Sequence, residues 1–206
     1  MKYSQYGEEK IIESFFENKR KGFVVDVGAA DGIRYSNSRW LIESCGWEAV
    51  LVEPHPTYFH QLEDLYKSNK SVKLVNAAAY SEEALLPFYL YGRDEHAQVS
   101  TLSKNFRDKV IKVHGNKFEE KPTMVKALQL SSILHDIDHV DFLSIDCEGV
   151  DMEVIKSNDW DLYRPSLVCV EHSMPKEELH GYMNSVGYRF LQATVGNSFF
   201  KGEKDA

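Results

Sequence analysis

Short aliphatic runs alternate with amphipathic stretches along most of this chain. Residues 24–27 and 47–52 are apolar and rich in Val; each is too short for a helix and dense enough for a strand buried on both faces. The same pattern returns at 72–75, 140–145 and 166–170. Between these runs, apolar residues recur at helical spacing. Ile11, Ile12, Phe15 and Phe16 predict a helix over 7–16, and Tyr58, Leu62 and Leu65 another after the breaks at Pro54 and Pro56. Residues 36–46 read as a helix with polar caps in front and Gly46 as its stop, and further helices are expected at 131–135, at 151–156 and after Pro175. Repeated β-α alternation implies parallel strands joined by right-handed crossovers. The pattern changes at the end: 187–195 and 198–201 are extended segments around a Gly196-Asn197 turn, which predicts an antiparallel pair.

The middle of the chain is less regular. Residues 85–91 are extended and read as the edge or hairpin of an elaboration, 92–122 are polar and irregular, and 123–128 form a strand. The expected architecture is α/β: one Rossmann-like domain over 1–206, with an N-terminal helical segment at 1–20 and an insertion at 92–122. Long insertions of this kind serve as lids or binding loops. A plainer reading stands beside it, in which Phe106, Val110 and Val113 are the buried stripe of a short helix whose lysines are its solvated face. Trp40, Phe59, Tyr66 and Trp160 fall on helical apolar faces and are expected in the core, whereas His55, His60, His135, His139 and His180 carry no particular signal.

Charge narrows the partners. The net charge is −8, from 24 basic and 32 acidic residues, which disfavours general nucleic-acid binding. Its distribution is uneven: 92–122 hold seven basic and five acidic residues, so the segment is net +2 and the remainder −10. Cys45, Cys147 and Cys169 have no metal-finger spacing and read as buried free thiols of a reducing compartment. The start of the chain is polar, without a signal-peptide core, and no run approaches ~18 apolar residues, so a cytoplasmic protein without membrane segments is expected; oligomeric state is open.

The candidate chemistry begins where the first aliphatic run breaks into Asp26-Val27-Gly28-Ala29-Ala30-Asp31-Gly32. Glycine at the end of a parallel strand lets backbone approach a ligand, and aspartates suit a cationic ligand and hydroxyls better than a pyrophosphate. Gly28-x-x-x-Gly32 is not the dinucleotide fingerprint. S-adenosylmethionine therefore fits better than NAD. Glu53 ends the second run, 27 residues beyond Asp26, where an acid can accept both ribose hydroxyls. The expected cofactor contacts are Asp26, Gly28, Ala29, Asp31, Gly32, Asn37, Glu53 and Pro54, with Asn76, Ala77 and Ala78 near the adenine and Asp146 holding the methionine amino group. Asp146 and Glu148 end another strand two positions apart, so in extended chain both point one way, and Glu171 and His172 end the next. Asp146, Glu148 and His172 are the catalytic candidates; an Asp146 that only holds the methionine amino group, a helix-start box at Glu148-Gly149-Val150-Asp151 and a buried hydrogen-bonding His172 are the competing readings.

Three segments resemble the FkbM family of S-adenosylmethionine-dependent methyltransferases: the opening Tyr3-Ser4-Gln5-Tyr6-Gly7-Glu8-Glu9, in which Glu9 stands where many members have Asp; the glycine turn with Glu53-Pro54; and Asp141-Phe142-Leu143-Ser144-Ile145-Asp146-Cys147-Glu148-Gly149. The resemblance runs from about residue 4 to 172. It implies a class I methyltransferase fold, a mostly parallel seven-stranded sheet with a C-terminal antiparallel hairpin and helices on both faces. It also implies O-methylation of a small molecule, a sugar or glycoconjugate precursor, and places Gln5 near the pocket. Some class I O-methyltransferases hold a divalent ion with acids at these strand ends; Asp146, Glu171 and His172 would match that pattern, and since histidine is a poor Mg²⁺ ligand the ion would be Mn²⁺ or none. Arg93, Lys104 and Arg107 of the basic segment are the candidates for binding an anionic acceptor. Two other classes stay open: a nicotinamide-dependent oxidoreductase, and a silent ligand-binding protein on the same fold.

Overall fold

In a computed structural model, which describes residues 3–17, 19–92, 97–172 and 174–203, the elements follow one another as α1 (Glu8–Phe16), β1 (Phe23–Val27), α2 (Arg39–Cys45), β2 (Glu48–Val52), α3 (Pro56–Tyr66), β3 (Val72–Val75), β4 (Ala78–Ala79), β5 (Ala84–Phe88), α4 (Lys104–His114), β6 (Thr123–Leu128), α5 (Leu130–Leu134), β7 (Phe142–Ile145), α6 (Asp151–Lys156), β8 (Leu167–Glu171), α7 (Lys176–Ser185), β9 (Tyr188–Ala193) and β10 (Asn197–Gly202). The main sheet has seven strands in the order β3-β2-β1-β7-β8-β10-β9. Only β10 runs against its neighbours, β8 and β9. This is the expected mostly parallel sheet with its closing hairpin.

The aliphatic runs are strands because both of their faces are covered. Val25, Val50, Leu143 and Val168 point to one side and pack on Leu130, Ile133 and Leu134 of α5, Val154 and Ile155 of α6, and Leu179 and Met183 of α7. Val24, Ala49, Phe142 and Leu167, one residue away on the same strands, point to the other side and meet Ile12 of α1, Leu41 and Ile42 of α2, and Leu62 of α3. Two-residue alternation thus splits each run between two helical layers, which is why no polar face shows in the sequence. Local signals place the helix ends: Gly46 takes φ +69 as the C-cap of α2, and the His55 Nδ1 accepts from the Thr57 amide at 3.2 Å at the start of α3, with Pro56 in the first turn.

The chain leaves β1 towards β2 and β3 and later returns to the opposite side of β1 as β7. That reversal opens a crevice at the carboxyl ends of β1 and β7. Between β3 and β7 lies a second sheet, in the order β4-β6-β5, with β5 antiparallel to β6. Residues 123–128 are a strand as expected, but they pair with β4 and β5 instead of the main sheet.

Within the insertion, α4 buries Val110 and packs Phe106 and Ile111 beside Tyr91 and Phe118. Val113, expected on that stripe, is 73% exposed, because the last turn of α4 extends past the cluster. Lys104, Lys109 and Lys112 face outwards. Trp160 is buried as expected, but in the turn after α6, where its Nε1 donates to the Ile155 carbonyl at 3.0 Å. His55 is buried as well, a position its polar surroundings did not reveal. The three cysteines are free, Cys45 and Cys169 buried and Cys147 half-buried. Among the described residues no helix is long and apolar enough to cross a membrane.

Candidate active site

A cavity of about 550 Å³ occupies the crevice, walled by the ends of β1, β2, β7 and β8. Gly28 makes it possible. Its φ is +86, its amide donates to the Val52 carbonyl at 2.9 Å, and a Cβ there would fall on the Asp146 main-chain oxygen. The turn that follows is locked by Glu53, which accepts from the Ala30 amide at 2.8 Å and the His55 amide at 2.7 Å. Each Glu53 oxygen so takes one backbone donor and keeps acceptor capacity on the cavity side. Burial pushes the Glu53 carboxyl up to about 7 against those two hydrogen bonds, and Asp26 and Asp146 add to the rise. Asp26, raised by burial to about 6, accepts from Ser38 Oγ at 2.5 Å.

Of the expected cofactor contacts, Asp26, Gly28, Ala29, Asn37, Glu53, Pro54, Ala77, Ala78 and Asp146 line the cavity. Three do not. Asp31 turns inwards behind the loop, where it accepts from the amides of Ile33 and Arg34, both at 2.8 Å, and pairs with the Arg34 guanidinium at 3.1 Å. Gly32 faces α3, since a Cβ on it would lie 2.6 Å from Leu62 Cδ2. Asn76 is also absent from the wall. The second half of the glycine segment therefore builds the loop and its packing, a distinction that spacing alone could not draw.

Asp146, Glu148 and Glu171 converge: one oxygen of each lies within 4.8 Å of the others. Asp146 is pushed up to about 7 by burial, then by Asp151 and Asp26; Glu171 is pushed up to about 11 by burial, then by Asp146 and Glu148. The charge of Asp146 is thus among the causes that raise Glu171, and Glu171 keeps its proton at neutral pH. No amide or hydroxyl donor among the described residues reaches Glu171 Oε2. The chain after β7 is not extended, contrary to expectation. Glu148 has φ +52 and Gly149 φ +94, a left-handed turn closed by Asp151, which accepts from the Cys147 amide at 2.8 Å and the Gly149 amide at 3.3 Å. A left-handed non-glycine residue costs about 1–2 kcal/mol, so its surroundings must hold Glu148 there.

His172 does not join the acids. Its ring Nε2 lies 2.7 Å from Ser198 Oγ, off the cavity wall, because consecutive strand residues point to opposite faces and Glu171 takes the inward one. The oxygen cluster is thus Asp146, Glu148 and Glu171, in place of the expected Asp146, Glu171 and His172. Lys104 and Arg107 are likewise off the wall: Arg107 pairs with Asp108 at 2.8 Å and stacks 4.4 Å over the Tyr89 ring. Arg93 lies outside the described residues.

Gln5 is on the wall, as expected, beside Tyr6. The reason is a residue that pattern did not single out. Glu8 is fully buried and accepts from the Tyr6 amide at 2.8 Å, Thr194 Oγ1 at 2.7 Å and Asn197 Nδ2 at 3.0 Å, so it ties the opening segment to the turn before β10. Its only sequence signal was the family-like opening. Arg34, Tyr35, Gln98 and Ser100 complete the mouth, with Arg34 the cationic side chain on the wall among the described residues.

Residues 26–190 match the model of the methyltransferase FkbM domain. No curated protein matches the chain. Among solved structures, it is similar to methyltransferase FkbM from Methylobacillus flagellatus KT, at 15% identity and a TM-score of 0.58, over 89% of this chain and 44% of that one. It is also similar to precorrin-6y C5,15-methyltransferase from Geobacter metallireducens GS-15, at 12% identity and a TM-score of 0.53, over 95% and 87% of the two chains. At such identities the likeness is one of fold. This chain spans less than half the length of the first of these relatives. The family match covers both the Gly28 turn and the three converging acids, and on it the chain belongs to the FkbM methyltransferase family.

Proposed function

We propose that this domain transfers a methyl group from S-adenosylmethionine to a hydroxyl of a small acceptor, a sugar or glycoconjugate precursor. The observation that carries the donor side is the Gly28–Glu53 pair: a turn with no room for a Cβ, facing a carboxylate fixed by two backbone amides. Glu53 accepts the ribose hydroxyls with its remaining lone pairs, and Ala77 and Ala78 give the adenine a small apolar wall. When bound, the donor supplies an electrophilic methyl on sulfur. The protein must then hold the acceptor in line and remove one hydroxyl proton, contributions worth about 7–11 kcal/mol for orientation and roughly 10²- to 10⁴-fold for a base.

Asp146 is the proton acceptor in this reading; Glu148, pushed well above the usual carboxylate range by burial and then by Asp146 and Asp151, keeps its proton and holds the acceptor oxygen with it. An Asp146 carboxyl that titrates near 7 suits that task at neutral pH. Oxygen donors in this arrangement also suit Mg²⁺ or Mn²⁺, so chelation separates the two uses of the acids. A neutral or anionic acceptor would meet Arg34 at the mouth, and the net charge of −8 argues against nucleic acid.

The experiment is transfer of label from S-[methyl-³H]adenosylmethionine to methyl pyranosides and their 6-phosphates. Labelled product with wild type and its loss in Glu148→Ala are expected. Label in no hydroxylated acceptor, with S-adenosylhomocysteine still bound, would point to the silent binding protein instead.

A further inference from the structure

Thr101, in the insertion, reaches the backbone of Glu148. Thr101 is fully buried, and its backbone is fixed by a two-way pairing with Tyr89, N to O at 3.1 Å and O to N at 2.8 Å. Its Oγ1 accepts from the Ser103 amide at 2.8 Å. The hydroxyl hydrogen is then free to point elsewhere, and Oγ1 donates it to the Glu148 carbonyl at 2.7 Å. The next residue of that turn is gripped by the same segment, since a Cβ on Gly149 would stand 2.8 Å from Phe106 Cβ. Ser103 links the two contacts, because its Oγ accepts from the Phe106 amide at 3.2 Å and caps α4. Glu148 and Gly149 are both at positive φ, and both are braced by residues 101–106.

We infer that Thr101 is a positioning residue: its hydroxyl holds Glu148 in the left-handed conformation that brings the Glu148 carboxyl to Asp146 and Glu171. This rests on the reading that Glu148 works at the acceptor. The insertion then acts on the reaction from behind, through the backbone of the turn, as well as forming cavity wall at Gln98, Val99, Ser100 and Leu102. Nothing local marks Thr101 in the sequence, because its partner is 47 positions away.

Thr101→Val keeps the shape and removes the donor. With the methyl pyranoside that the panel identifies, kcat should fall about tenfold or more, as misplaced reacting groups do, while KM and the calorimetric Kd for S-adenosylhomocysteine stay within about twofold. Thr101→Ser should restore kcat. In a double-mutant cycle, Thr101→Val should cost almost nothing further once Glu148→Ala is present. If Thr101→Val does not fold, Thr101→Cys, with its weak S–H donor, should still fall below Thr101→Ser. A Thr101→Val enzyme within about twofold of wild type, or multiplicative losses in the double variant, would overturn the inference. Wild-type kcat in Glu148→Ala alone would instead sink the role of Glu148, and the inference with it.

Discussion

The main-chain oxygen of Asp146 occupies the place a Cβ on Gly28 would take, so the ends of β1 and β7 meet with no side chain between them. This contact sets the floor of the cavity. Gly28→Ala would have to displace that backbone and also hold alanine at φ +86, a conformation that costs about 1–2 kcal/mol by itself. Thermal unfolding should come several degrees lower, and calorimetry should show no S-adenosylhomocysteine binding. Wild-type affinity in that variant would mean the donor does not approach this turn.

Glu53 predicts a pH effect of definite sign. Its carboxyl titrates near 7 in the folded chain, against 4.5 in the absence of the fold. Between those values the folded state binds more protons, so this contribution to stability is full below about pH 4.5 and is lost as pH rises through 7. Glu53→Gln, whose amide nitrogen cannot accept from one of the two backbone donors, should melt lower than wild type at about pH 5.5, with less change in Tm between pH 5.5 and 8. A larger pH dependence in the variant would contradict the burial of a titrating Glu53.

Much of the frame was legible because it rests on local pattern. Residues 72–75 and 151–156 are a strand and a helix at those bounds, and Gly46 and Pro56 mark helix ends where their backbone preferences put them. What pattern could not supply was pairing between distant segments. Ala78–Ala79 is a two-residue strand defined only by Ala127 and Leu128, and no spacing announces that. The site divides in the same way. Gly28, Glu53 and Asp146 stand at strand ends and were foreseeable, whereas the left-handed turn at Glu148 depends on Thr101, and Asp31 is diverted by Arg34. Alternation along a strand separates Glu171 from His172, so the two cannot both face the cavity.

His172 and Arg107 should be dispensable for chemistry. The His172 ring is engaged by Ser198, so His172→Ala should leave kcat within about threefold and keep the basic limb of the pH profile. Arg107→Ala should lower Tm through loss of its stacking on Tyr89, a cation–π contact of about 0.5–1 kcal/mol, without raising KM for a phosphorylated acceptor. A salt-sensitive KM that Arg107→Ala abolishes would restore the basic segment as the acceptor's anchor.

The acids carry a test by chelation. With Glu171 pushed up to about 11 and so protonated at neutral pH, the account expects methyl transfer to survive EDTA, and Asp146→Asn to lower kcat with the fold intact by circular dichroism. Activity lost to EDTA and restored by Mn²⁺ would assign Asp146, Glu148 and Glu171 to a metal ion.

The most direct test of the central claim is calorimetric titration of the purified chain with S-adenosylhomocysteine, with NAD as control, in wild type and Glu53→Ala. Losing two hydrogen bonds to a charged acceptor, each worth about 1.5–3 kcal/mol, should weaken S-adenosylhomocysteine at least about tenfold, and NAD should give no heat in either protein. Equal affinity in wild type and Glu53→Ala, or saturable binding of NAD, would contradict a donor site built on Gly28 and Glu53.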